Sequence, residues 1–255
     1  MARILDQDNT QYLAAGTSIG ISAYPFTLAC WFRPTTAGVA SGQHHIMGFY
    51  DANGNRAWAF QNNGNNITIL VWNEGFDSTA GATNLSANVW YHGAMTITSA
   101  TVRELFLNGV SEAVDNDSSS TFGSADILTL GFQDNLQQSG AFDGDLAFSG
   151  VWDVVLPDED IASLGSGVHP KLIQPENLIH AWDLWGHSGT GNEPASWGST
   201  TLTVTGGNGG NTDSPGGTVF PSRMLVGSSS AAAGGGSALL SRMMTEGLTV
   251  QGSYA

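Results

Sequence analysis

The residues best suited to chemistry form a short polar run, Gln133-Asp134-Asn135, between two apolar stretches of the chain. Calcium takes roughly six to eight oxygen ligands from carboxylates, amides and carbonyls. The three side chains supply amide and carboxylate oxygens next to one another, so this run is a candidate calcium loop. An ordinary polar loop that holds no ion is the alternative.

Paired carboxylates would point instead to glycoside hydrolysis, which needs two of them roughly 5–10 Å apart across the scissile bond. The strand patterns E-x-D-x-x-E and E-x-D-x-E that deliver such a pair are absent. Glu74 and Asp77 fall in a predicted turn, and the acids at 158–160 fall at a predicted helix start, where they complement the helix dipole. The sequence also lacks a G-x-S-x-G nucleophile motif and an H-E-x-x-H zinc motif. These observations predict a protein that is not an enzyme.

Aromatic side chains beside amides are the usual surface for binding sugars. Trp58, Trp72 and Trp197 lie near Asn-rich turns and are candidate glycan contacts. Packing in the core is the alternative for each of them. His44 and His45 are adjacent, so a strand points them to opposite faces and they do not chelate one ion together.

Composition limits the classes of partner. The 255 residues carry 7 Lys plus Arg against 22 Asp plus Glu, a net charge of −15. Such a field repels phosphate backbones, so nucleic acid is not an expected partner. The single cysteine, Cys30, excludes an intramolecular disulfide. Residues 1–25 lack the pattern of a secretory signal and no apolar run is long enough for a membrane span, so cytoplasmic synthesis and no membrane partner are expected.

The elements that must position these residues are short strands. About ten apolar runs alternate with Gly-, Asn- and Pro-rich turns at regular spacing, without a βαβ rhythm. Examples are 25–34, 44–51, 89–98 and 101–110, the last two forming a predicted hairpin with Asn108-Gly109 ready for the next tight turn. The pattern predicts an all-β protein with two packed antiparallel sheets.

The segment 126–165 combines a clear strand pattern with a clear helix pattern. Leu146, Phe148 and Trp152 share one face of a strand at period two, so all three are expected to point at the core. Pro157, the acids that follow it and Gly165 then predict one short helix.

Four segments in this order resemble laminin-G-like and pentraxin-like domains, of the kind found in tailed-phage virion proteins. They are FTLACWFRP, WYHGAMT, LFLNGV and the closing FDGDLAFSGVW with its helix, and the resemblance covers roughly residues 3–165. The resemblance implies a concanavalin A-like jelly roll, a two-sheet antiparallel sandwich. It also implies that Trp31, Trp90 and Trp152 are core residues and that His92 has a packing role.

The resemblance places the candidate calcium loop at the position of the pentraxin E-Q-D loop and brings Asp51 near it. The metal set is therefore Asp51, Gln133, Asp134 and Asn135. Gln133 stands where that family has Glu, and Asn135 stands where it has Asp, and both differences weaken the match.

The rest of the chain divides into two parts. Residues 169–206 contain two strand candidates that are expected to pair back onto the sandwich, so 1–206 is predicted to be one domain. Residues 207–255 form a Gly/Ser/Ala-rich tail, a predicted assembly anchor. Its apolar residues are Leu239, Leu240, Met243 and Met244. They are expected to pack against a partner, either a neighbouring chain or the sandwich itself.

Three functions compete on these grounds. The first is a virion structural protein, a capsid decoration or a head or tail accessory protein of a tailed phage. It would associate with other virion proteins or with itself, and it would display the jelly roll toward host-surface glycans. The second is a free calcium-dependent lectin, and the third is a glycoside hydrolase.

Overall fold

The computed structural model describes residues 2–16, 19–36, 39–40, 42–50, 56–73, 76–116, 127–132, 140–185, 192–206, 211–212 and 215. Short strands make up most of this part of the chain. They are β1 (Ala2–Leu5), β2 (Tyr12–Gly16), β3 (Phe26–Pro34), β4 (Gln43–Tyr50), β5 (Arg56–Asn63), β6 (Asn66–Asn73), β7 (Phe76–Asn84), β8 (Tyr91–Ile97), β9 (Arg103–Leu107), β10 (Val110–Asp115), β11 (Ile127–Leu130), β12 (Gly144–Trp152), β13 (Leu178–Trp182), β14 (Thr203–Thr205) and β15 (Asn211–Thr212). The helix α1 covers Asp158–Gly165, and two 3₁₀ turns cover Gln7–Asn9 and Pro170–Leu172.

The strands form two antiparallel sheets. Sheet A has eight strands, in the order β10-β9-β8-β3-β12-β1-β15, with β13 paired to β12. Sheet B has seven strands, in the order β14-β2-β11-β4-β5-β6-β7. This arrangement confirms the predicted all-β jelly-roll sandwich with one short helix. Among the described residues, no helix is long and apolar enough to cross a membrane.

The main core lies between the inner faces of the two sheets. Period-two alternation turns Trp58 and Phe60 of β5 inward, together with Phe49 of β4 and Phe32 of β3, and all four are fully buried. Each of these side chains removes a large apolar area from water, which is the dominant favourable term in folding. Cys30 lies in the same core, and burial raises the pKa of its thiol.

The predicted alternation of β12 is wrong beyond Leu146. Leu146 packs in the main core, but Phe148 has a φ of 46° and the pairing with β3 shifts register between Ala147 and Gly150. The irregularity reverses the facing of the later residues, as a β-bulge does. Val151 therefore enters the main core, and Trp152 packs on the outer face of sheet A beneath α1.

The helix covers this second cluster. Ile161 and Leu164 of α1 are buried against Trp152 and Phe106. The helix forms where it was predicted, with Pro157 as its N-cap residue and three acids in its first turn. These acids complement the positive end of the helix dipole.

After the helix the chain adds strands to both sheets. β13 pairs with β12, and β14 pairs with β2. β15 pairs with β1 and carries sheet A to Thr212, beyond the predicted domain end at 206. Residues Met1–Phe220 form one compact unit, and residues 221–255 lie outside the described residues. The predicted assembly residues Leu239, Leu240, Met243 and Met244 belong to that undescribed part.

Two polar contacts tie the sandwich together at its edges. Arg3 is fully buried, and its guanidinium donates to Glu193 at 3.1 Å. At the opposite edge, Glu112 of β10 accepts hydrogen bonds from the backbone N–H groups of Ala82 and Thr83 in β7, at 2.8 and 2.9 Å. The Glu112 carboxylate thereby links the edge strand of sheet A to that of sheet B.

Candidate functional site

The predicted calcium ligands Asp51, Gln133, Asp134 and Asn135 lie outside the described residues, so this set stays a prediction. The residues flanking the loop are described. Phe132 stacks on Tyr12 at 4.8 Å between ring centroids, and the Gly140 carbonyl accepts from the His45 N–H at 2.8 Å. Tyr50, the neighbour of Asp51, also contacts His45, with its hydroxyl 3.0 Å from His45 Nδ1.

No other metal centre emerges from the described residues, in which no group of three or more His, Cys, Asp or Glu is placed to hold an ion. His44 and His45 make separate contacts. His44 Nδ1 lies 2.9 Å from the Ala141 carbonyl, whereas His45 Nδ1 lies 3.0 Å from the Tyr50 hydroxyl.

The prediction that Trp58 contacts a glycan is wrong. Trp58 is fully buried in the main core, because the alternation of β5 turns it inward. Trp72 lies on β6 in register with Ala57, and its side chain is outside the described part. Trp31 and Trp152 are buried as predicted, and Trp90 is half-buried beneath the Arg33 guanidinium at 5.2 Å.

The alternation that buries Trp58 turns a different residue, Gln61, to the outer face of sheet B. Gln61 lies in register with His45 of β4 and with Thr68 of β6, and these three residues define the polar row. Gln61 is 0% exposed, and neither its amide nitrogen nor its amide oxygen has a hydrogen-bond partner among the described residues. The row continues across β7 to Ala80, which is exposed. His45 and Thr68 are buried as well, so among the described residues the row meets solvent at that edge.

Small residues form a flat floor beside the polar row. Gly48 of β4 lies opposite Ala59 of β5, and a Cβ built on Gly48 would come within 2.3 Å of the Ala59 Cβ. No larger side chain fits there, so the centre of this face stays low. Tyr50 borders the floor, and its contact with His45 holds the phenol ring in place.

The face offers binding groups without the groups that hydrolysis needs. Amide, hydroxyl and imidazole groups line the polar row, and none of the described side chains in the strands of sheet B is a carboxylate. A pair of facing acids is the minimum for cleaving a glycosidic bond by the usual mechanism. The described part of this face therefore carries hydrogen-bonding side chains and no pair of acids.

One cluster elsewhere contains the residue types of a serine hydrolase but not their geometry. Asp183 Oδ1 accepts from His169 Nε2 at 3.0 Å and from the Ser196 hydroxyl at 2.6 Å, and His169 Nδ1 accepts from the Lys171 N–H at 3.2 Å. Both imidazole nitrogens are therefore occupied, and the hydroxyl bonds the acid instead of the base. Burial raises the pKa of Asp183, but the hydrogen bonds from His169 and Ser196 outweigh it and leave that pKa below its usual range. The cluster is a structural contact between β13 and the segments around it.

Sequence reasoning missed Gln61, although a signal for its orientation was present. Trp58 and Phe60 bracket an apolar alternation in β5, and that alternation places Gln61 on the opposite face from both. Nothing within β5 indicates that the amide is shielded from water, because shielding depends on contacts with other segments.

Fold and site together define a lectin-like β-sandwich. Residues 7–162 match the family model of the concanavalin A-like lectin/glucanases superfamily, so the chain belongs to that superfamily. Among solved structures it is similar to a protein of Bacteroides ovatus ATCC 8483, provisionally described as carbohydrate binding, with a TM-score of 0.63 at 16% identity. The match covers 84% of this chain and 60% of that one, so this chain spans less than two thirds of that relative.

A second similar structure is the heptameric SAP-like pentraxin of Limulus polyphemus, with a TM-score of 0.52 at 11% identity. This match covers 64% of the chain and 80% of the pentraxin. At such identities the likeness concerns the fold alone. No curated protein matches the sequence.

Proposed function

We propose that the protein is a non-catalytic carbohydrate-binding module and that its ligand contacts the polar row on the outer face of sheet B. The observation that carries this proposal is the amide of Gln61, which is shielded from water while both of its polar atoms lack a partner among the described residues. Leaving a buried amide unpaired costs about 1–3 kcal/mol. A ligand that satisfies the amide recovers this free energy on binding.

Sugar hydroxyls suit such a group. An amide needs one partner that donates and another that accepts, and each hydroxyl does both. Gly48 and Ala59 beside Gln61 are small and, like Gln61, shielded from water, so a ligand reaches the amide from the exposed edge at Ala80. The provisional carbohydrate-binding description of the Bacteroides ovatus relative is consistent with this function.

A glycan array with the wild type and Gln61→Leu tests the proposal. Leucine keeps the approximate volume and removes both unpaired atoms, so the variant should be as stable as the wild type or more stable. It should nevertheless lose binding to the glycans that the wild type retains. Gln11→Leu is the matched control, because Gln11 is also buried and its Oε1 lacks a partner among the described residues. A stable Gln61→Leu protein with unchanged glycan binding would refute the proposal.

A place in a tailed-phage virion is the second part of the proposal, and it rests on the sequence resemblance and the composition of the tail. In this view residues 207–255 attach the sandwich to other virion proteins or to further copies of the chain. Sedimentation velocity of the full chain and of a chain ending at Phe220, the end of the first compact unit, tests it. Self-association or particle binding by the full chain alone is expected. Identical monomers in both samples would contradict it.

Calcium at Gln133, Asp134 and Asn135 remains a proposal supported by the loop's oxygen-rich sequence. The wild type should melt at a higher temperature in calcium than in chelator, and Asp134→Asn should reduce that difference. Equal melting temperatures under both conditions would leave glycan binding without a calcium requirement.

A further inference from the structure

Trp197 combines solvent exposure with a fixed orientation. Its backbone pairs with Ala181 at the free edge of β13, where Trp197 N–H donates to Ala181 O at 3.2 Å and Ala181 N–H donates to Trp197 O at 3.1 Å. Its indole N–H donates to the Leu178 carbonyl at 2.9 Å. Backbone and ring are therefore held to the same strand, and yet the residue is 40% exposed.

An exposed indole held in this way is suited to stacking. Tryptophan is usually highly buried, and its amphipathic ring is enriched where a partner or ligand covers it. A side chain that is already fixed loses little conformational entropy when a ligand binds. Trp185, which is 49% exposed, makes no indole hydrogen bond to a described residue and so lacks this feature.

Two amides lie beside the segment that holds the indole. Asn177 directly precedes Leu178, and its side chain donates to Gln174 Oε1 at 3.0 Å. Gln174 in turn donates to Asp160 Oδ2 at 2.6 Å. This chain of hydrogen bonds positions Asn177 at a half-buried site and leaves its Oδ1 and second amide hydrogen without a described partner.

We infer that Trp197 and Asn177 form a second sugar-contact site, separate from the polar row and outside the family-matched span 7–162. The indole stacks on the CH face of a pyranose ring, and the Asn177 amide bonds the hydroxyls at its rim. Asp160 and the exposed Glu176 lie close by, in a chain with a net charge of −15. This charge disfavours uronic and sialic acids, so the ligand class is a neutral pyranoside.

The test uses the full chain labelled with ¹⁵N and titrated with cello-, manno-, galacto- and malto-oligosaccharides. Trp197→Phe identifies the Trp197 indole signal by its disappearance. We expect that signal to shift with at least one neutral series and to stay unchanged with oligogalacturonate. If none of the four neutral series moves it, the inference is overturned.

Variants then separate the two sites. Trp197→Ala should weaken binding of the active oligosaccharide roughly tenfold, and Trp197→Phe, which keeps an aromatic face, should weaken it less. Asn177→Ala leaves the indole in place and should also weaken binding, whereas Trp185→Ala should not. Circular dichroism and the melting temperature verify that each variant is folded.

The outcomes distinguish this inference from the proposed function. Loss of binding in Gln61→Leu with wild-type affinity in Trp197→Ala would overturn the second site and leave the polar row supported. Loss of binding in Trp197→Ala with wild-type affinity in Gln61→Leu would support the second site and overturn the polar row as a ligand contact. Two independent affinities, each removed by its own variant, would support both sites.

Discussion

Replacing His92 with glutamine should remove part of the fold's sensitivity to acid. His92 is 1% exposed, its ring centroid lies 5.5 Å from that of Trp31, and its Nδ1 has no hydrogen-bond partner among the described residues. Because charging the ring there would remove an ion from water without compensation, burial lowers the pKa of His92 from 6.5 to about 3.

The sign and size of the effect follow from proton linkage. Between the two pKa values the unfolded chain binds a proton at His92 and the folded chain does not, so acid favours unfolding. The loss is about 1 kcal/mol at pH 5.5 and roughly 2–3 kcal/mol at pH 4.5, relative to neutral pH. In His92→Gln this contribution is absent, and any cost of the substitution itself is the same at every pH.

Urea unfolding at pH 7.0, 5.5 and 4.5, followed by tryptophan fluorescence, gives the free energy of unfolding of both proteins. The wild type should lose roughly 2–3 kcal/mol more than His92→Gln between pH 7.0 and pH 4.5. Gln61→Leu is the control, because it alters a buried polar side chain without removing a titratable group and should keep the wild-type pH dependence. A difference between wild type and His92→Gln that stays constant within about 0.5 kcal/mol would refute the reasoning.

Three further predictions concern two contacts between separate segments and one buried thiol. Glu193→Gln should cost about 3–5 kcal/mol in urea unfolding, since it leaves the buried Arg3 charge without its partner, and Arg3→Met combined with Glu193→Leu should recover most of that loss. Glu112→Gln should cost about 1–2 kcal/mol, because the carboxylate that accepts two backbone N–H groups of β7 is replaced by a weaker acceptor; an unchanged denaturation midpoint would contradict this account. Burial raises the pKa of the Cys30 thiol, so Ellman's reagent should react with it in urea and not in the native protein at pH 8; rapid native labelling would show that the thiol is accessible.

Local sequence was sufficient for the elements with strong patterns. β3, β8 and the helix α1 occur where apolar periodicity and capping residues predicted them. β7, with the sequence FDSTAGATN, was not predicted, since small polar residues dominate it and give no clear alternation. It forms because it pairs with the preceding strand β6 as a hairpin at the edge of sheet B, and its own composition gives no signal of that pairing.

The candidate site was less predictable than the fold. Trp58 has aromatic character and a neighbouring Asn-rich turn, which fit a sugar platform and a core residue equally well. In the structure Trp58 packs in the core, and Gln61 on the same strand therefore points to the outer face. Period two determines which side chains share a face, but the partner sheet determines which face meets the core.

The sequence by itself determined that this chain is an acidic, all-β sandwich with one short helix, because charge, turn residues and strand periodicity are local properties of the chain. Only the tertiary structure decided that Trp152 leaves the main core, since the reversal at Phe148 follows from the pairing of β12 with β3. Tertiary pairing likewise shields the Gln61 amide and holds Trp197 in place at the edge of β13. Shielding and orientation arise from contacts between separate segments, and the residues of one segment do not specify its partners.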